Sequence, residues 1–142
     1  MDFKYKNIML DVGIAEICPP TEAIPKELQA YRFIYEKIDD DRNFKPVYIK
    51  KPQRFNDKSD VDKCSGFGIS LYKSEEHAIK KYTILANVVQ NIGKTIGTHL
   101  AKGQILNDFG VVTPIDDEGH FDLHESDTCN LHNNFTVIKK IA

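Results

Sequence analysis

Apolar and polar positions repeat with two different periods along this chain, and the switches between them locate its elements. The helical period is clearest in "SEEHAIKKYTILANVVQNIG", where Ala78, Tyr82, Leu85, Val89 and Ile92 recur at steps of four and three. They fall on one stripe, which Ile79 and Val88 widen. Ser74 can cap the first turn, Glu75 and Glu76 favour the positive end of the helix dipole, and Gly93 suits the stop. The pattern predicts one principal helix over 74–92, packed on a sheet.

Period two governs much of the rest. "CSGFGISLY" puts Phe67, Ile69 and Leu71 on one side of a strand and Ser70 and Tyr72 on the other, while Gly66 and Gly68 let another backbone or a ligand come close. Tyr31, Phe33 and Tyr35 alternate with period two while Leu28, Tyr31 and Tyr35 also fit a helical stripe, and aromatic enrichment favours a strand over Tyr31–Ile38. Ile96, Thr98 and Leu100 predict another strand, "GQILNDFGVV" a further one or a hairpin, and "HFDLHE" with "FTVIKKI" a closing antiparallel pair. Near the start, "NIMLDVGIAEI" predicts a short strand followed by the proline-rich, irregular "CPPTEAIP". The polar tract "DDDRNFKPVYIKKPQRFNDKSDVDK" predicts a long excursion around a short strand at Val47–Ile49. Together these elements predict a single α+β domain over 1–142, with a twisted, mixed or mainly antiparallel sheet.

Composition agrees with that expectation. A chain of 142 residues, 41% hydrophobic and 28% charged, is long enough for one core and too apolar to remain disordered. Nineteen basic against twenty-one acidic residues give a net charge of −2, which excludes a molecule-wide field attracting nucleic acid. A local patch remains in "YIKKPQR", where Lys50, Lys51 and Arg54 lie near Tyr48 and Phe55. Such a mix can meet phosphates and stack bases, although a solvated loop accounts for the same residues. The start lacks a signal-peptide pattern, and no run of about 18 apolar residues occurs, so neither secretion nor a membrane span is expected. Cys18, Cys64 and Cys129 are odd in number and widely spaced; they do not read as a disulfide framework and fit a reducing, cytoplasmic setting.

Candidate chemistry concentrates in "GHFDLHESDTC". As a strand it buries Phe121 and Leu123 and sets His120, Asp122 and His124 on the other face, with roughly 6–7 Å between successive members. Imidazole and carboxylate are ordinary zinc or iron ligands, and Cys129 with His132 could reach back to complete a shell. A strong zinc signature needs two short-spaced couples, whereas only C-x-x-H has that form here, so a solvated strand face is preferred and no metal is assigned. There is no G-x-S-x-G elbow, dinucleotide-binding glycine turn or Walker loop.

The order of "YRFI", "GFGISLYKSEEHAIKKY" and a late hairpin ending in "FTVIKKI" resembles ADP-ribosyltransferase-like domains over roughly residues 30–141. The resemblance implies a cleft for NAD, with Arg32 gripping the dinucleotide from an early strand and Ser70 or Tyr72 following on the glycine-flanked strand. Where the family places a glutamate at the opening of the late strand, this chain has His120 and Asp122. Glu125, at the far end of that strand, would then supply the carboxylate that orients the ribose and stabilises the developing cation. The implied catalytic set is Arg32, Ser70 and Glu125, and the implied dinucleotide-binding set is Arg32, Ser70, Tyr72 and His120. Two readings from other classes stand beside it. One is a non-enzymatic interaction module, accessory or immunity-type, whose "YIKKPQRF" loop and strand edges meet a protein partner. The other is a small metal-binding protein using His120, Asp122 and His124.

Overall fold

Six segments are extended: β1 (Leu28–Ile34), β2 (Ile69–Tyr72), β3 (His99–Ile105), β4 (Gly110–Val112), β5 (His120–Glu125) and β6 (Phe135–Lys140). In the computed structural model, which describes Met1–Ala142, they form one sheet in the order β4-β5-β2-β1-β3-β6. Every neighbouring pair is antiparallel, so the α+β expectation holds, but β5 and β6 are not the closing pair expected of them: β5 lies between β4 and β2, and β6 pairs with β3 at the opposite edge of the sheet.

Alternation determines what each strand buries. Ile69 and Leu71 of β2 enter the core beside Phe121 and Leu123 of β5, together with Ala30 and Ile34 of β1. Each large aliphatic or aromatic side chain removed from water contributes ~1.5–3 kcal/mol, which makes this cluster the main stabilising feature of the sheet. The first strand begins and ends earlier than Tyr31–Ile38 because the backbone leaves the ladder after Ile34. The Tyr35 N–H instead donates to Asn43 Oδ1 at 2.7 Å, and Asn43 Nδ2 donates to the Lys37 carbonyl at 2.7 Å.

The helices depart further from the periodic reading. The opening apolar run is a short helix, α1 (Lys6–Asp11), rather than a strand; it places Met9 in a cluster with Ile14, Tyr48 and Phe67. The expected strand at Val47–Ile49 is α2 (Val47–Lys50), entered through an extended Pro46. A 3-10 turn at Pro52–Phe55 and α3 (Asp60–Gly66), capped by Ser59, follow. Aromatic packing explains why this polar tract is ordered: Tyr48 stacks on Phe55 at 4.9 Å and on Phe67 at 4.3 Å between ring centroids.

The principal helix α4 (Glu75–Val88) is capped by Ser74, whose Oγ accepts from the His77 N–H. It buries Ala78 and Tyr82, and the Tyr82 hydroxyl donates to the Gly97 carbonyl at 2.8 Å. The expected span to 92 is interrupted: Val89 is extended, Asn91 is left-handed, and a separate turn of helix, α5 (Ile92–Thr95), follows. Val88 therefore stays in solvent instead of widening the stripe. No helix is long and apolar enough to cross a membrane.

The cysteines also differ from expectation. Cys18 and Cys64, 46 residues apart in sequence, form a disulfide that ties the proline-rich segment to α3, while Cys129 is free and buried. Sequence spacing could not anticipate the pair, because the two residues meet only in the hydrophobic cluster they share with Met9, Ile14, Tyr48 and Phe67.

Candidate functional site

The site begins where the sheet comes apart. The β1 and β3 strands match over seven residues from Leu28↔Ile105 to Ile34↔His99, but β1 and β2 share only the Tyr31↔Tyr72 position. A strand carbonyl without a ladder partner needs another donor. Arg32 supplies it: its Nη1 donates to the Ser70 carbonyl at 2.7 Å, while Nε donates to the Asn43 carbonyl at 2.7 Å. Burial lowers its pKa to about 10, which leaves the guanidinium cationic at neutral pH.

A cleft of about 550 Å³ opens over this split. One wall comes from the tract that carries Arg42, Lys45, Lys50, Lys51, Arg54 and Lys58, and these cations, with Arg32, face the carboxylates of Asp62 and Asp122. Phe33, Tyr35, Phe55 and Tyr72 add aromatic surface. The Arg42 guanidinium lies 3.7 Å from the Tyr35 ring centroid and pairs with Asp40 at 2.7 Å. Lys50 is pushed down to about 8, first by its own burial and then by the positive charges of Arg32, Lys51, Arg54 and Arg42. Such mutual repulsion is relieved when an anion enters.

The polar face of β2 and β5 forms the floor. Antiparallel register sets Ser70 opposite Asp122 and Tyr72 opposite His120. Ser70 Oγ and His120 Nε2 share a hydrogen bond of 2.7 Å, and Asp122 Oδ1 lies 3.5 Å from the same nitrogen. Asp116 Oδ1 accepts from the His120 backbone N–H at 3.0 Å, and its Oδ2 stands 3.8 Å from Nδ1. A hydroxyl so joined to an imidazole can exchange a proton with it. Burial raises the Asp122 pKa, an effect opposed chiefly by the His120 charge. Tyr72 packs edge-on against His120 at 5.3 Å, and burial raises its phenol to about 12, so it remains a neutral donor.

Arg32, Ser70, Tyr72 and His120 thus line one cleft. Glu125 does not join them. It alternates with Phe121 and Leu123 toward the interior, where Lys4 Nζ donates to Oε2 at 2.6 Å. The carboxylate role assigned to Glu125 is corrected on this point, and Asp122 is the β5 carboxylate that faces the cleft. The period-two argument that buried Phe121 and Leu123 already carried this result.

The expected row of His120, Asp122 and His124 does not converge either. A ring nitrogen of His124 lies with the sulfurs of Cys18 and Cys64, the three donor atoms all within 4.8 Å of one another. His124 Nε2 is buried with no hydrogen-bond partner, and burial lowers the imidazole pKa to about 4. Gly68 permits the approach: a Cβ there would stand 2.7 Å from Asp122 Cβ and 3.3 Å from His124 Nε2. Cys129 instead sits in the main core, where Lys4 Nζ donates to its carbonyl at 2.7 Å, and His132 is exposed on the 3-10 turn Leu131–Asn133. The basic "YIKKPQR" stretch was visible in sequence, but its place as a wall of the cleft was not.

No family profile matches the chain, and neither a curated protein nor a solved structure shows significant similarity to it.

Proposed function

We propose that this protein binds a phosphorylated nucleotide, with NAD the first candidate, in the cleft over the β1–β2 split. The reading rests on one observation: cations from Arg32 to Lys58 crowd a single concavity in a chain whose net charge is −2. Phosphates would meet Arg32, Lys50 and their neighbours through charge-assisted hydrogen bonds. Phe33, Tyr35 and Tyr72 would provide stacking surface for the base or nicotinamide. A ribose hydroxyl would reach the Ser70–His120 pair, with Asp122 as the carboxylate beside it. This arrangement supports an ADP-ribosyltransferase-like activity in which Asp122, rather than Glu125, assists departure of nicotinamide.

Thermal denaturation with NAD, ADP, pyrophosphate and adenosine tests the reading. The phosphorylated ligands are expected to raise the melting temperature, and adenosine to leave it unchanged. Arg32→Ala should remove the effect, while Lys50→Met, which keeps the strand-bridging bonds of Arg32, should weaken it. Absence of any shift at millimolar NAD, ADP and pyrophosphate would refute the proposal. Release of nicotinamide from NAD, lost in His120→Ala and Asp122→Asn, is the test of turnover.

A further inference from the structure

Behind the cleft floor lies a second constellation that the nucleotide reading does not use. His124 is buried, its Nε2 has no hydrogen-bond partner, and a nitrogen of its ring lies within 4.8 Å of the sulfurs of Cys18 and Cys64. Three donors from the proline-rich segment, α3 and β5 therefore meet in one pocket of the interior. We propose that, once the Cys18–Cys64 disulfide is reduced, the two thiolates and His124 Nε2 bind a single zinc ion.

The donor set suits this ion. Zinc takes thiolate sulfur at about 2.3 Å and imidazole nitrogen at about 2.0–2.1 Å, so ligands around a tetrahedral ion stand roughly 3.5–3.8 Å apart. Donor atoms already gathered within 4.8 Å reach that spacing by small side-chain rotations, and the Cα atoms of the two cysteines are 5.4 Å apart. Charge balance favours it as well, since two thiolates neutralise a divalent cation and the complex enters the interior without net charge. The metal would also give the orphaned imidazole nitrogen a partner. A three-ligand shell leaves the fourth position to water or to a movable group.

The chemistry balances without further components. A dithiol reductant transfers two electrons and two protons to the disulfide, giving the Cys18 and Cys64 thiols and the oxidised reductant. Zinc then displaces the two thiol protons as it binds. The disulfide and the metal are thus mutually exclusive links between the same two segments, and a reducing environment exchanges one for the other. The inference stands apart from nucleotide binding, because none of the three ligands lines the cleft.

The test uses the full chain, reduced with a dithiol and freed of reductant without air. Titration with cobalt(II), a chromophoric stand-in for zinc, should produce thiolate-to-metal charge-transfer absorption that saturates at one ion per chain. Zinc should displace the cobalt, and the oxidised protein should take up neither. Cys18→Ser and Cys64→Ser should abolish the charge-transfer band or halve it, and His124→Asn should weaken affinity by at least about tenfold. A measurement on the unaltered chain guards against misfolded variants: zinc should slow alkylation of Cys18 and Cys64 in the reduced protein. Lack of cobalt absorption, unprotected Cys18 and Cys64, or uptake unchanged in both cysteine variants would each overturn the proposal.

Discussion

Replacing Lys50 by methionine should make the empty protein more stable and the loaded one weaker. Its ammonium is half-buried among Arg32, Lys51, Arg54 and Arg42, and its pKa is lowered from 10.5 to about 8. At about 1.36 kcal/mol per tenfold change, that gap sets an upper bound near 3.4 kcal/mol on the cost of keeping the residue charged. Solvent reaches the ammonium, so screening reduces the working figure to ~1–2 kcal/mol. The direction with pH follows from the two pKa values. The unfolded chain holds this proton more tightly, so the cost is complete below pH 8, shrinks as pH rises, and disappears above about 10.5. Urea unfolding of Lys50→Met should therefore show a midpoint raised by roughly 0.5–1 M at pH 7 and by less than half as much at pH 9.5. Pyrophosphate or ADP should bind the variant roughly ten- to a hundredfold more weakly, since a charge-assisted contact is lost. At pH 8 the parent protein should take up about half a proton on binding, readable by calorimetry in buffers of different ionisation enthalpy. A variant that unfolds at lower urea, or that binds the anion as tightly as the parent, would refute the claim that Lys50 is held in a site built for negative charge.

Three further outcomes follow from the same geometry. Affinity for ADP should fall steeply as potassium chloride rises, because the cleft cations are partly open to solvent; a salt-insensitive constant would argue against electrostatic capture. Gly68→Ala should cost ~1–3 kcal/mol in denaturant unfolding and dislodge Asp122 from His120, since the new methyl would stand 2.7 Å from Asp122 Cβ and 3.1 Å from Cγ. Lys4→Met should destabilise the chain by ~3 kcal/mol by stranding the buried Glu125 carboxylate, and adding Glu125→Gln should recover much of that loss; a double variant no more stable than Lys4→Met would show that a stranded carboxylate is not the cause.

Strand faces were legible in the sequence, and for a definite reason. Side chains alternate strictly along extended backbone, so Ile69 and Leu71, or Phe121 and Leu123, mark the buried side without reference to any other segment. Ser70, Tyr72, His120 and Asp122 follow onto the opposite face, and the antiparallel register of β2 and β5 makes them neighbours. The same local rule sends Glu125 inward, where the family resemblance had asked it to do chemistry. The capped start of α4 was equally local, because Ser74 and the first-turn glutamates act within one helical turn.

What tertiary structure alone decided lies in the polar tract and at the chain's start. Periodicity cannot assign a segment whose order comes from three aromatic rings on three different elements, and Tyr48 settles between Phe55 and Phe67 only once α2 and α3 pack together. That packing turns Lys50 and Lys51 from a solvated loop into a cleft wall. The separation of β1 from β2, which calls Arg32 across to the Ser70 carbonyl, likewise depends on contacts 38 residues apart. Cys18, Cys64 and His124 come together from three distant segments for the same reason. Local sequence determines which face of an element is apolar; the distances between faces are fixed by long-range packing, and chemistry depends on those distances.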